Sequence, residues 1–357
     1  MQRVCIKRML VIGILLMAVF ISCGQQGVKA VEIGGELNVN SSLMYQEATD
    51  ELTVGYSGGG ELELYLPSSS VVESRLVLQS SLTPGDVDLG FKYLYIRKKF
   101  DGAHLTLGRQ PVSWSSGAII NPYSYGFGVE GLAGETVTPG IDGLRYFHSL
   151  GQGRSLQLVT SFPQFANIKG EELGYGLRLR LPVAGYDLSL NYSLRPDPSD
   201  DTIRLGTTFK GDLGPVGAYG ALGYYRAGSE DYLVQLGLDY SWQAGEYGVY
   251  PTYLQLEYLR FVEGELGMGQ LAEDAFTLWP QMVTAHDLLV LNLSTRPDMF
   301  SSLGVAIIGE SKEGSLLINP YYLTDLGGGL EIRTDLTLMG DSDNYSAGIT
   351  AGFIYYF

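Results

Sequence analysis

The chain ends in the segment NYSAGITAGFIYYF (Asn344–Phe357), in which apolar or aromatic residues occupy alternate positions up to the last residue. Side chains along a β-strand point to opposite faces with a period of two, so one face of this segment is apolar. An aromatic edge strand in a water-soluble protein would invite aggregation. The pattern therefore predicts a strand that faces lipid in a closed sheet, with an apolar face formed by Tyr345, Ala347, Ile349, Ala351, Phe353, Tyr355 and Phe357.

Composition favours strands over membrane-spanning helices. The 357 residues include 48 glycines and 25 tyrosines, and 17% of them are charged. After residue 22, no apolar run reaches the roughly 18 residues that a spanning helix needs. Abundant glycine and tyrosine are typical of many short strands with tight turns and aromatic girdles.

Alternating apolar and polar residues recur through almost the whole chain after the leader. A water-soluble sandwich or propeller could also produce them, because its apolar faces pack on a second sheet. Full charges on the polar faces and aromatic residues near strand ends favour a transmembrane barrel with a wet lumen. We therefore predict an all-β, antiparallel up-and-down transmembrane barrel; the clearest alternating segments are 175–183, 186–195, 202–210, 232–242 and 329–339.

The first 30 residues resemble an export signal. Arg3, Lys7 and Arg8 precede the apolar run 9–21, and small residues around Ala30 suit peptidase cleavage. Lipidation at Cys23 is the alternative. We predict a signal peptide over 1–30 and a single barrel domain over 31–357.

The remaining chain is acidic and has no cysteine. Residues 1–30 contain four Lys/Arg, no Asp/Glu and both cysteines, which leaves 19 basic and 39 acidic residues, a net charge of −20. That balance argues against nucleic acid as a partner. Without cysteine there is no disulfide or thiolate metal site, and no histidine pair has metal-ligand spacing, so we expect no metal and no cofactor.

Connection lengths predict the number of strands. Eight short connections (67–70, 98–102, 151–153, 182–185, 212–215, 243–248, 296–298 and 325–328) alternate with nine others, several of them longer (45–57, 83–86, 116–139, 164–172, 196–201, 227–231, 262–285, 310–314 and 340–344). Short turns at one end and long loops at the other are typical of outer-membrane barrels. The count predicts about 18 strands, with 16 as the alternative, and both termini on the inner side.

Two stretches resemble known families. Gly352, Phe353, Tyr355 and Phe357 resemble the C-terminal signal that the outer-membrane assembly machinery reads. The segments 104–126 and 136–150 resemble a porin-like group of Gram-negative barrels that includes the alginate-export and related families. The matching residues are Gly108, Arg109, Gln110, Trp114, Asn121, Pro122, Pro139, Gly140, Asp142, Leu144 and Arg145, whereas Ser115 and Ser116 replace the usual glycine. The resemblance implies an outer-membrane channel but no particular solute.

Arg109 and the loop after it raise a structural question. Strict alternation would place Arg109 on the face of Leu105 and Leu107, toward lipid, so we predict a β-bulge at Gly108 that turns it inward. The loop 118–139 is long, apolar and glycine-rich. It is expected either to fold into the lumen and constrict it or to cover the surface as a lid.

Inward charges are the candidate functional residues. Arg178, Arg180, Arg204 and Lys210 lie on neighbouring strands and could form a basic ladder facing acids across the pore, which would bias ion entry. The alternative is that inward charges only hydrate the wall and pair with one another. The predicted pore-lining set is Arg75, Lys92, Arg109, Arg178, Arg180, Arg204, Lys210, Asp239, Glu257 and Arg333.

The prediction is an outer-membrane porin for ions and small hydrophilic solutes, not an enzyme. Asp287 follows His286 directly, but neighbouring residues in sequence do not form a catalytic triad, so we expect no catalytic residue at His104, His148 or His286. A barrel enzyme with loop-borne residues and a structural or adhesive barrel are the alternatives. Expected partners are outer-membrane lipid, the assembly machinery and the solutes; the sequence leaves open whether a homotrimer forms.

Overall fold

The computed structural model describes residues 32–357 with short gaps. The gaps are 67, 84–85, 115–119, 122, 124, 126–127, 131–135, 138–139, 163–172, 197–201, 228, 245–249, 263–265, 268–283, 286, 312–313 and 341–343. The predicted signal peptide, including Cys23, lies outside the described residues. No helix in the described ranges is long and apolar enough to cross a membrane.

Eighteen strands form one antiparallel sheet. They are β1 (Glu32–Gln46), β2 (Glu51–Tyr65), β3 (Val72–Thr83), β4 (Asp86–Phe100), β5 (Ala103–Pro111), β9 (Gly140–Gly151), β10 (Arg154–Ser161), β11 (Gly174–Val183), β12 (Tyr186–Arg195), β13 (Thr202–Leu213), β14 (Val216–Ala227), β15 (Ser229–Ala244), β16 (Tyr250–Phe261), β19 (Asp287–Thr295), β20 (Ser301–Glu310), β21 (Leu316–Asp325), β22 (Leu330–Gly340) and β23 (Tyr345–Tyr356). Five short strands lie in the connections: β6 (Ile120–Asn121), β7 (Gly128–Glu130), β8 (Thr136–Val137), β17 (Leu266–Gly267) and β18 (Thr284–Ala285).

The sheet closes into a barrel because its first and last strands pair. The β1–β23 ladder runs from Glu36 opposite Tyr356 to Gln46 opposite Ser346. Two backbone hydrogen bonds between Gly35 and Phe357, 3.0 and 3.1 Å long, extend it to the last residue. Each strand pairs with its neighbours in chain order, so the predicted 18-stranded up-and-down barrel is confirmed. Closure removes the sheet edges that an aromatic strand would otherwise expose.

Short turns lie at one end of the barrel, which we call the inner end and which also carries residues 32 and 357. Two of them are two-residue turns with positive φ at both central positions, Gln152-Gly153 and Ala184-Gly185, as in type I′ hairpins. One predicted loop is wrong. Residues 45–57 are mostly strand, because β1 and β2 continue to a tight connection around the 3-10 turn Glu47–Thr49.

The outer face carries the apolar residues of the alternating pattern. Large hydrophobic side chains that are 40–70% exposed recur on nearly every strand; they include Leu37, Val54, Leu107, Leu158, Leu190, Leu205, Leu222, Leu236, Leu289, Leu303, Ile349 and Phe353. A continuous exposed apolar band of this kind is the surface that a lipid environment accepts. Phe353, Tyr355 and Phe357 are about half exposed on the same face, at 53%, 44% and 50%.

The inner face is not uniformly polar. Polar residues line the wall formed by β10–β16, among them Ser189, Asn191, Thr208, Gln235 and Glu257. In contrast, the outer half of the wall from β15 to β20 carries buried apolar residues: Leu233, Leu259, Leu288, Val290 and Ala306 are no more than 1% exposed. The lumen is therefore not an open water-filled cylinder along its whole length.

Candidate functional site

The loop that follows β5 lies inside the barrel against the β10 wall. Trp114 is 1% exposed, and its Nε1 donates a hydrogen bond to Gln157 Oε1 at 2.8 Å. Farther along the loop, the Tyr125 hydroxyl lies 2.6 Å from the Ser161 hydroxyl. The Trp114 and Tyr125 rings contact each other edge to face, with centroids 5.6 Å apart. Both ends of this loop segment are thus anchored on inward-facing residues of one strand.

Inward-facing glycines leave room for the loop aromatics. A Cβ at Gly206 would lie 2.6 Å from two atoms of the Tyr123 ring, and one at Gly223 would lie 2.8 Å from its hydroxyl. A Cβ at Gly176 would lie 2.5 Å from Tyr125 and 2.8 Å from Trp114. Contacts this short do not occur between real side chains, so any larger residue would displace the rings. We call Gly176, Gly206 and Gly223 the glycine seat.

The middle of the loop is held by side chains of β15 and β16. The Ile120 N–H donates to Glu257 Oε2 at 3.4 Å, and Gln235 Nε2 donates to the Ile120 carbonyl oxygen at 2.6 Å. The other carboxylate oxygen of Glu257 accepts bonds of 2.8 Å from the Tyr219 hydroxyl and from Gln255 Nε2. Wall side chains thus satisfy both backbone groups of a loop residue, which fixes the loop strongly.

These contacts decide between the two expectations for the loop. Ile120, Asn121, Tyr123 and Tyr125 are buried against the inner wall, so this part of the loop folds into the lumen and does not lie over the surface. Because it extends from β10 to β16, it occupies the wall of several strands and narrows the bore. Much of the rest of 118–139 lies outside the described residues.

Arg109 does not turn inward. The β4–β5 and β5–β9 ladders run without a register shift through Gly108 and Arg109, so the predicted bulge is absent and the expectation was wrong. Arg109 stays on the face of Leu107 and forms a forked ion pair with Asp142, with N–O distances of 3.2 and 3.1 Å. Its third nitrogen donates to the Phe91 carbonyl oxygen at 3.0 Å. The ion pair with Asp142 offsets the free-energy cost of placing the Arg109 guanidinium on the lipid-facing side of the barrel, near the loop end of the strands.

Three predicted ladder residues line one cavity at the inner end of the lumen. It has a volume of about 590 Å³ and is lined by Arg178, Arg180 and Lys210. The remaining lining residues are Phe147, Ser149, Gly153, Arg154, Ser155, Gln157, Asp187, Ser189, Thr208 and Phe209. Four cations and one carboxylate surround this space, so its charge is strongly positive.

Side-chain pairing within the cavity leaves basic groups without a local carboxylate partner. Arg180 forms a forked ion pair with Asp187, with N–O distances of 3.3 and 2.5 Å. Arg178 donates to the neutral Ser189 hydroxyl at 3.3 and 3.2 Å. Among the described part of the chain, no carboxylate lies within ion-pair distance of Arg178 or Lys210. These two cations therefore supply most of the cavity's surplus charge.

Arg204 is separated from the other ladder residues. It lies six residues from Lys210 on β13, about 20 Å away at the usual rise of a strand. It is 5% exposed, and its guanidinium lies 5.6 Å from the Tyr225 ring centroid. The inward loop covers the wall between these two positions, because Tyr123 contacts Gly206. The predicted four-residue ladder is thus divided into an inner group of three and a buried outer arginine.

The other predicted cations are paired on their own walls. Arg75 contacts Glu63 at 2.6 Å, and Lys92 contacts Glu61, all on β2–β4. Arg333 contacts Asp335 at 2.8 Å on β22. The two predicted acids do not form a ring: Asp239 lies beside Gly217 on β14, and Glu257 holds the loop. An unpaired row of acids facing the basic group is therefore not found among these residues.

Several residues of the site were missed from the sequence. Gln157 and Gln235 face the lumen, as period-two alternation would indicate, but nothing local marks them as contacts of a loop more than 30 residues away. Tyr219 also faces the lumen, and its hydroxyl donates to Glu257, which contacts the loop. Glu61 and Glu63 also face inward, and their partners lie on other strands. The inward glycines are the one sequence feature that indicates a close approach of another segment to the inner wall.

The two described histidines stack on aromatic rings. His104 stacks on Phe147 with ring centroids 4.7 Å apart, and His148 stacks on Tyr146 at 6.2 Å. His286 lies outside the described residues. Within the described ranges, no group of three or more His, Cys, Asp or Glu residues could hold a metal ion.

Comparisons with solved structures identify barrels of the same fold. The outer membrane protein OpdK of Pseudomonas aeruginosa matches with a TM-score of 0.60 and 11% identity over 91% of this chain and 98% of that chain. OccK11 (OpdR) of P. aeruginosa gives 0.59 and 12% over 93% and 98%, and a triple mutant of Rhodopseudomonas blastica porin gives 0.50 and 13% over 92% and 100%. No protein-family model matches the chain, and no curated protein sequence is significantly similar to it. At these identities the likeness shows a porin-like β-barrel fold, and membership of the alginate-export group stays a prediction.

Proposed function

We propose that this protein is an outer-membrane porin that conducts ions and small hydrophilic solutes by passive diffusion, with a preference for anions. The observation that carries the proposal is the inner cavity of about 590 Å³ with Arg178 and Lys210 in its wall. An 18-stranded barrel is wide enough for an aqueous channel, and the inward loop restricts it to a selective one. Arg178 and Lys210 would attract anions and repel cations at this point of the path.

Several features support a location in the outer membrane. The exposed apolar band suits lipid, and the leader 1–30 would direct export before its removal. Gly352, Phe353 and Tyr355 lie in β23 and Phe357 directly follows it, where the assembly machinery would read them. The structural neighbours include a protein described as an outer membrane protein and one described as a porin. Formation of a homotrimer is a separate proposal.

The wall chemistry explains how ions would pass without tight binding. Arg178 is held by a neutral serine and Lys210 is exposed, so both can exchange water for a passing anion. Ser149, Ser155 and Thr208 add hydroxyl groups that can replace part of a hydration shell. Weak, multiple contacts favour rapid exit, which conduction requires.

Planar-bilayer recording of the refolded mature protein tests the proposal. We expect discrete open steps and, under a salt gradient, a reversal potential of the sign set by anion permeation. The Arg178→Gln/Lys210→Gln variant should move that potential toward the cation side. Inserted protein that leaves the bilayer sealed would overturn the channel and favour a structural, adhesive or enzymatic barrel. Open steps with cation selectivity would overturn the anion preference alone.

A further inference from the structure

Residues of the segments 104–126 and 136–150 meet at the stem of the inward loop, where β5 ends and β9 begins. On the outer face, the Arg109–Asp142 ion pair joins the two strands directly opposite each other in register. A Cβ at Gly140 would lie 2.7 Å from Arg109 Cγ, so a glycine is needed where the arginine side chain crosses. The outer face of the stem is therefore built around this one pair.

The inner face of the same stem is fixed by two further side chains. Gln110 is 1% exposed, and its Nε2 donates to the carbonyl oxygens of Thr106 and Gly143, both at 3.2 Å. Arg145 Nη1 donates to the Pro111 carbonyl oxygen at 3.0 Å. Pro111 is the last residue of β5, so this bond holds the backbone at the point where the chain leaves the barrel wall.

The chain enters the lumen immediately beyond this point. Val112 and Trp114 are both 1% exposed and pack with Tyr125, Val159 and the partly buried Ile141. Only two residues separate Pro111 from Trp114, so a small change in the direction of the stem would move the indole away from Gln157. The direction of the stem therefore determines whether the loop reaches its anchors.

We propose that Arg109, Gln110, Asp142 and Arg145 form a stem clamp, a set of positioning residues that directs the loop into the lumen. The clamp acts from both faces of the β5–β9 pair, and the ion pair on the lipid side has no direct contact with the bore. A forked arginine–carboxylate pair fixes both distance and orientation between the strands. The test by conductance rests on the proposed channel function, whereas the test by Trp114 fluorescence does not.

The experiment reverses each charge and then exchanges the pair. The variants are Arg109→Asp, Asp142→Arg and the double exchange, with Lys98→Glu, an outward charge reversal on β4, as control. The first readout is open-channel conductance and current noise. The second is acrylamide quenching of Trp114 fluorescence in a Trp242→Phe/Trp279→Phe background. Barrel folding is checked by the mobility difference between unheated and heated samples in electrophoresis.

We expect both single reversals to raise current noise and to increase quenching by about two-fold or more, because a freed Trp114 becomes accessible to solvent. The exchange should restore both values, and Lys98→Glu should change neither. Folded single variants with unchanged noise and quenching would overturn the clamp. If a reversal prevents folding, Arg109→Gln and Asp142→Asn are judged by the same criteria. A wild-type protein that does not conduct would refute the channel, while quenching would still decide the clamp.

Discussion

Two walls of the lumen contain similar numbers of inward cations but differ in how these are paired. On β2–β4, Arg75 and Lys92 contact Glu63 and Glu61, and Arg97 contacts Glu73. On β10–β13, the described residues that line the inner cavity include four cations and one carboxylate, Asp187. A count of charges along the sequence would rate the two walls alike. The comparison shows that pairing across strands, and not the number of arginines, decides where a surplus field remains.

The walls also differ in what covers them. The loop residues Trp114, Ile120, Tyr123 and Tyr125 contact the side from β10 to β16, and the glycine seat lies on that side. Gly90, on β4 in the paired wall, has no atom within 4 Å of where its Cβ would be. The loop therefore narrows the bore from one side and leaves the basic cavity at its inner end. The proposed anion selectivity and the narrowing of the bore would therefore both arise on the same half of the barrel.

The largest effect should come from filling the glycine seat. Gly206→Ala places a methyl group 2.6 Å from the Tyr123 ring and should displace the loop, which raises conductance or current noise. Overpacking of this kind costs about 1–3 kcal/mol, enough to change loop populations about 5- to 150-fold. Single-channel recording measures the change.

Gly90→Ala is the matched control on the other wall. It makes the same chemical change in a strand, but its methyl group enters open space. We expect its conductance to equal that of the unaltered protein. Equal conductance of the Gly206 and Gly90 variants would show that the loop does not limit the bore.

Removal of the surplus cations should have the next largest effect. Arg178→Gln with Lys210→Gln takes two positive charges from the cavity wall. A unit charge about 10 Å from an ion in water contributes about 0.4 kcal/mol. Loss of both charges raises the energy of an anion and lowers that of a cation by about 0.8 kcal/mol each, so the anion-to-cation permeability ratio should fall about 15-fold at low salt. The reversal potential under a salt gradient gives this ratio. The effect should shrink near 1 M salt, where the Debye length is about 3 Å; an unchanged ratio at low salt would refute the role of the cavity.

The smallest effect should follow removal of a complete ion pair from the other wall. Arg75→Gln with Glu63→Gln deletes one cation and one carboxylate that lie 2.6 Å apart. Their fields cancel at a distance, so the reversal potential should stay nearly constant. Arg75→Gln alone should shift it toward cations, because Glu63 is then left without its partner. If this double variant shifted selectivity as much as the Arg178/Lys210 variant does, the proposed difference in charge pairing between the two walls would be wrong.

The alternation of side chains was enough to predict the barrel. Period-two patterning assigns each residue to a face, and the alternation of turns and loops counts the strands, because both depend only on near neighbours in the chain. The same logic assigned Arg178, Arg180 and Lys210 to one face, and in the structure they line one cavity. It failed in the first hairpin, where residues 45–57 were predicted to be a loop but pair mostly as strand in β1 and β2.

The pairing of residues within the site depended on tertiary structure alone. Arg109 keeps its outward face because Asp142, on a strand that follows a long loop, offers a carboxylate in register. The ladder was divided because Tyr123 lies on Gly206, and the cations of β3 and β4 were neutralised by acids on β2 and β3. These outcomes depend on which distant residues meet across the lumen, and the energy of a charge depends on its partners more than on its position in a strand. The sequence by itself determined the alternation of faces along each strand, and the closed barrel determined which inward cations meet a carboxylate.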